Sequence, residues 1–304
     1  MKAVVFACRA MGVLGIRRLI EAGFKIPLVF TREDLRDEDS GSPSVEAFCT
    51  EFPVACVGPR DPNQFGWIER IREAGPDMLF SFAYPPVLKA PILALPKHGS
   101  FRIHPALLPD YRGPDPVRRA IMAGERTTGT TLHELVVKPY AGAVAAWRTV
   151  EISPDDTAGS LSHKIDRAAD AMLAEVLPRM RDLEFTLTPQ DLTAGSSHDE
   201  VMPEEGRIFW DRTAGEIRDL VRAMTSPFSG AFGILGEDMV FFRQAAFLPD
   251  VSLEPGSLGF QGENVLIGTA HGCIRPEEIE ANGRVLKGPG LVLFFREHEG
   301  DTFQ

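Results

Sequence analysis

Positive charge is what this 304-residue chain is short of: 32 lysines and arginines stand against 43 aspartates and glutamates, a formal net charge of −11. Phosphate backbones call for a basic surface, so the deficit argues against nucleic acid as a main partner. Cysteine is scarce too. Cys8, Cys49, Cys56 and Cys273 show no metal-type spacing such as C-x-x-C, so no metal site is predicted. They read as reduced, mostly buried thiols, which with the lack of a secretory leader points to a cytoplasmic protein. No long apolar run is present, so no membrane partner is expected. A G-x-G pair is missing from the first turn, which sets aside the dinucleotide fingerprint.

What remains is ordinary globular material, 44% hydrophobic and 25% charged, in a chain long enough for two domains. Residues 4–7 form a short apolar strand, and a turn with Gly12 and Gly15 leads into a helix carrying Ile16, Leu19 and Ile20. Strand, glycine turn and helix open a doubly wound, mostly parallel α/β domain. The glycines either let a ligand approach or only tighten the turn. Strands are predicted at residues 26–30, 54–57, 77–82, 130–135 and 145–152, with helices at 45–51 and 63–74, the latter turning Phe65, Ile68 and Ile71 inward. The acidic, polar stretch 32–44 reads as a surface loop. Thr157 caps a long helix over 158–177, which Pro178 should end or kink.

Chemistry concentrates in residues 100–144. A short strand delivers His104 to a loop stiffened by Pro105, Pro109, Pro114 and Pro116. Stiff loops on a scaffold are where functional groups are held, and imidazole titrates near neutrality, so His104 is the first candidate for proton transfer. A hydrogen-bonded structural histidine is the alternative. The helix at 117–123 carries Arg118 and Arg119 outward, toward solvent or ligand. His133 packs or hydrogen-bonds rather than reacts.

The run His-x-x-Leu-Leu-Pro-x-Tyr-Arg-Gly at residues 104–113, with Ala-Gly-Ala-Val at 141–144, resembles the folate-dependent formyltransferases, a family that includes methionyl-tRNA and sugar N-formyltransferases. The opening at residues 6–16 resembles the formyltransferase domain of the bifunctional aminoarabinose (polymyxin-resistance) enzyme. The resemblance implies 10-formyltetrahydrofolate as cofactor and a small-molecule amine as acceptor. It also implies a reaction centre of three side chains, of which only His104 is kept. Arg102 stands where the family has Asn, Tyr140 where it has Asp, and Ala106 where it has Ser. An oxyanion donor is worth roughly 3–4 kcal/mol in such reactions, so the exchanges bear on rate. Arg102, His104 and Tyr140 are therefore the candidate catalytic set. By the same resemblance, Tyr84, Pro85, Pro86, Val87, Leu88 and Gly142 are the candidate cofactor-binding residues, and Met11, Gly12, Tyr111, Arg112 and Gly113 the candidate substrate contacts. A plain strand-to-helix bend is the other reading of residues 83–88.

Residues 187–205, with Pro189, Gly195 and Pro203 and no apolar period, read as a linker between an α/β domain (1–186) and a second domain (206–304). Short strands at 239–242, 264–268 and 292–295 suggest a small open β-barrel there, supporting or oligomerising. Three readings stay open: transfer of a formyl or other one-carbon group to an amine (of an amino-sugar nucleotide or an amino-acid derivative), a silent binder of folate or nucleotide, and altered chemistry on the same scaffold.

Overall fold

A computed structural model describes residues 1–32 and 44–304, so all but one residue at either end of the expected surface loop at 32–44 lies outside the described residues. The chain divides into two units. The first holds residues 1–112, 129–150 and 164–197; the second holds 113–128, 151–163 and 198–304. Residues 187–197 thus go with the first unit and 198–205 with the second.

In chain order the elements begin with β1 (Lys2–Ala7), α1 (Arg9–Glu21), β2 (Lys25–Phe30), α2 (Val45–Thr50), β3 (Ala55–Val57), α3 (Phe65–Ala74), β4 (Met78–Phe82), α4 (Ala90–Leu93) and β5 (Ser100–His104). They continue with α5 (Pro116–Met122), β6 (Thr127–Glu134), β7 (Val144–Glu151) and α6 (Ala158–Arg181). The seven strands form one sheet in the order β3-β2-β1-β4-β5-β6-β7, parallel from β3 to β5, with β6 antiparallel to β5. The order reverses between β1 and β4, the place where open α/β sheets hold their ligands.

Strand alternation sorts the sheet into two faces. Ala3, Val5 and Ala7 pack with Phe80, Phe101 and the α6 residues Met172 and Leu177 on one side. Val4 and Phe6 pack with Leu79, Ile71 and Tyr84 on the other. Arg18 on α1 forks onto Asp170 on α6 at 2.6 and 2.5 Å, fixing these two helices to each other.

Several details differ from the sequence expectations. Phe65 is 77% exposed, because residues three apart slip round a helix of 3.6 residues per turn; Trp67, Ile68 and Ile71 make the inner face of α3. Pro178 lies inside α6, which runs on to Arg181. The proline removes one intrahelical donor, and the helix continues past that loss to Arg181.

In the second unit, α7 (Ala214–Met224) starts at a capping box of Thr213 and Glu216. There follow β8 (Ala231–Leu235), β9 (Asp238–Leu248), β10 (Leu258–Gln261), β11 (Asn264–Gly268), β12 (Cys273–Ala281), β13 (Arg284–Lys287) and α8 (Gly288–Glu297). The strands make an antiparallel sheet ordered β10-β11-β12-β9-β8, with β13 also on β12. The strand expected at 292–295 is helix α8: Pro289 sits at its start, and the buried Leu291, Phe294 and Phe295 follow helical spacing. Arg118, expected outward on α5, is buried. It pairs with Asp115 at 2.6 Å and stacks over the Phe228 ring at 4.0 Å. Arg119 is turned onto Glu205 at 2.6 Å.

Candidate active site

Phe101, Ile103 and Leu132 enter the core, so alternation along β5 and β6 puts Arg102, His104 and His133 together on the opposite face. Arg102 pairs with His133 in the strand register, and the rings of His104 and His133 lie edge to face at 6.4 Å. Tyr140 closes over them with its ring 4.9 Å from His104 and 6.5 Å from His133. The three predicted catalytic positions are thus one cluster in the first unit, and His133, expected to pack or hydrogen-bond, lies beside them.

Both imidazoles are buried, at 3% and 1% exposure. His104 Nε2 is 2.9 Å from the Tyr111 carbonyl oxygen. A carbonyl only accepts, so Nε2 carries the proton and Nδ1 keeps its lone pair. His133 Nδ1 donates in the same way to the Glu134 carbonyl at 2.7 Å, which leaves its Nε2 as a buried acceptor without a partner. Burial pushes His104 down to about 3; the Tyr111 carbonyl favours the charged ring, while His133 and Arg102 oppose it. His133 is brought to about 4, again chiefly by burial, with Arg102 adding repulsion. Protonating His104 in place therefore costs about 5 kcal/mol more than in water. Burial also lowers Arg102, with Tyr140 acting the other way.

The two loops that meet the cluster are held under backbone strain. Tyr111 (φ 53°) and Tyr140 (φ 59°) are both left-handed without being glycine, at about 1 kcal/mol each. The segment read from sequence as a linker secures them. Gln190 Nε2 donates to the carbonyls of Tyr140 (2.9 Å) and Gly142 (2.5 Å), and Thr188 pairs with Val144. The Ser196 hydroxyl accepts from the Tyr111 N–H at 2.9 Å, and its carbonyl accepts from the Arg112 N–H at 3.0 Å. Gly142 is required because a Cβ there would lie 2.1 Å from the Glu134 carbonyl oxygen. Gln190 and Ser196 carry no pattern that sequence reading detects; their role is set by contacts across 50 and 85 residues.

The other candidates scatter. Met11 sits in the core, and Gly12 gives close packing, since a Cβ would meet the Ala7 backbone and Val45 at 3.0 Å. Tyr84 and Leu88 are buried in the core, Tyr84 edge-on to Phe6 at 5.2 Å, whereas Pro85 is exposed and Val87 is 69% exposed. Gly113 belongs to the second unit, where it abuts the His198 carbonyl.

A reduced folate needs an apolar edge and unsatisfied polar partners. Pro85 and Val87 expose such an edge at the C-terminal end of β4, and the buried Nε2 of His133 and Oε1 of Gln190 are polar atoms without partners. The residues present therefore fit the group, though not all by the side chains expected.

Residues 23–177 match the formyl transferase family, and residues 200–291 match the formyl transferase C-terminal domain. The chain belongs to the formyltransferase family. Among solved structures similar to this formyltransferase is the N-formyltransferase from Helicobacter canadensis in complex with folinic acid and dTDP-3-aminofucose (16% identity, TM-score 0.71, 91% of this chain and 98% of that one). The sugar 3N-formyltransferase WlaRD, solved with dTDP and 5-N-formyl-THF, shares 16% identity at a TM-score of 0.70 over 93% and 98%. HypX from Aquifex aeolicus in complex with tetrahydrofolic acid shares 20% identity at a TM-score of 0.62, covering 96% of this chain and 47% of that one. At these identities the likeness is one of fold. Among the described residues, no helix is long and apolar enough to cross a membrane.

Proposed function

We propose that this formyltransferase family member moves a formyl group from 10-formyltetrahydrofolate to the amine of a small molecule, an amino-sugar nucleotide or an amino-acid derivative. The observation that carries the reading is the cluster of Arg102, His104, His133 and Tyr140, gathered on one sheet face of a chain that both formyl transferase domains match. A cytoplasmic setting accompanies it, and the acidic balance of the chain favours a small acceptor over RNA.

A bound 10-formylated folate would supply an activated formyl carbon. Its flat ring would lie along Pro85, Pro86 and Val87; the Gly142 carbonyl is already taken by Gln190. Arg102 donates to the formyl oxygen as it gains charge, with a full cation in place of a neutral amide. His104 takes the proton of the incoming amine at Nδ1, while its Nε2–H stays on the Tyr111 carbonyl. Tyr140, lacking the negative charge of an aspartate, cannot stabilise the imidazolium and serves to exclude water.

One observation favours a second reading. An imidazole brought down to about 3 is a weak base, as a site that binds folate without turning it over would have. Incubation with 10-formyltetrahydrofolate and a panel of amino-sugar nucleotides and amino-acid amines, followed by mass spectrometry, separates the two. A formylated amine that disappears in His104→Ala supports transfer. Calorimetric binding of a 10-formylfolate analogue with no formylated product from any amine supports the binder.

A further inference from the structure

A pair of thiols lies apart from the cluster above. Cys49 is in the last turn of α2 and Cys56 is the central residue of β3. A tight turn doubles the chain back between them: the Phe52 N–H reaches the Cys49 carbonyl at 3.4 Å, Val54 bonds back to Phe52 at 2.7 Å, and the rings of Phe48 and Phe52 pack at 4.9 Å. The two thiols perturb one another's titration. They also line one cavity of about 410 Å³, beside Glu46 and Thr50, so the 4% exposed Cys49 is reachable by a small solute. Cys8 and Cys273 are elsewhere: Cys8 packs on the other face of the sheet, and the Cys273 thiol donates to the Val251 carbonyl at 3.4 Å.

We propose that Cys49 and Cys56 are a reversible oxidation site that closes to an intramolecular disulfide under hydrogen peroxide or a small alkyl hydroperoxide. The interaction between the two thiols assigns the roles. Contact with Cys56 holds the Cys49 thiol below the ordinary cysteine range, although burial and Glu46 act against it; Cys56 is pushed up by the same contact and by burial. Cys49 is therefore the attacking thiolate and Cys56 the resolving thiol. In the first step the Cys49 sulfur bonds to a peroxide oxygen, the O–O bond breaks and hydroxide leaves, or alkoxide from an alkyl hydroperoxide. In the second the Cys56 sulfur attacks Cys49, an S–S bond forms, the S–O bond breaks, and the Cys56 proton leaves with the departing oxygen as water. Two thiols lose two hydrogens, and hydrogen peroxide becomes two waters or an alkyl hydroperoxide an alcohol and a water. Closure would tie α2 to β3, whose Cys56 pairs with Val29 of β2.

The test uses the reduced full chain and needs no variant at first. Mild peroxide should lower the intact mass by two hydrogens, link the Cys49 and Cys56 peptides, and protect both thiols from alkylation by about tenfold or more relative to Cys8 and Cys273 in the unfolded chain, with reversal by phosphine. In Cys56→Ser, dimedone should trap a sulfenic acid at Cys49; in Cys49→Ser it should trap none at Cys56. Full alkylation of both residues after peroxide, a linkage to another cysteine, or the reverse dimedone pattern would overturn the proposal.

Discussion

At the residue scale, the account turns on two neutral buried imidazoles. Between pH about 6.5 and about 4, unfolding lets His104 and His133 bind protons that the folded protein refuses. Their depressed values leave stability intact above pH 6.5 and remove it as pH falls, by about 1 kcal/mol per unit from each. Melting temperatures recorded from pH 7 to pH 5 should fall more steeply in the native protein than in a His104→Gln, His133→Gln double variant. An equal slope would show that the rings are solvated. Gln190 gives a second prediction. Gln190→Ala removes both donors from the 140–142 loop, should cost about 1–3 kcal/mol in denaturant unfolding, and should leave the His104 contact with Tyr111 intact. Neither residue 190 nor 196 announced itself in the sequence, because a polar residue in an aperiodic stretch looks the same whether it spans a gap or clamps a loop. His104 did, since imidazole within a proline-rich motif is rare enough to single out.

At the element scale, alternation along the strands was legible and turned into a site: once Phe101 and Ile103 are inside, Arg102 and His104 must share the other face. Gly142 is where two backbones meet, and Gly142→Ala should lose about 1–3 kcal/mol because the neighbour is a carbonyl that cannot rotate away. One helix of the second unit was read as a strand. The error at α8 came from treating the four apolar residues 292–295 as a strand, although Pro289 and the spacing of Leu291, Phe294 and Phe295 fit a helix. The error at Arg118 came from assuming that charge faces water; Asp115 and Phe228, the latter far away in sequence, supply what its burial requires. Arg118→Ala should therefore destabilise the second unit, with a drop of several degrees in its melting transition, a larger effect than a solvent-facing arginine would give.

At the scale of the whole molecule, motif and composition identified the family and the two-part architecture, while the structure divides the chain in a way no composition shift reveals. Residues 113–128 and 151–163, inserted among first-unit segments, cluster with the C-terminal half. The site itself was half legible: its members were named, but its enclosure came only from the strained Tyr111 and Tyr140 loops and from the residues that hold them. What this arrangement does is decided by release of tetrahydrofolate from 10-formyltetrahydrofolate, followed by absorbance with the amine panel present, in the native protein, in Arg102→Ala and in an Arg102→Asn, Tyr140→Asp double variant. A working site with Arg102 as its oxyanion donor predicts turnover in the native protein and a fall of about 100- to 1,000-fold in Arg102→Ala. A native protein that releases nothing, beside a double variant that turns over, would contradict it.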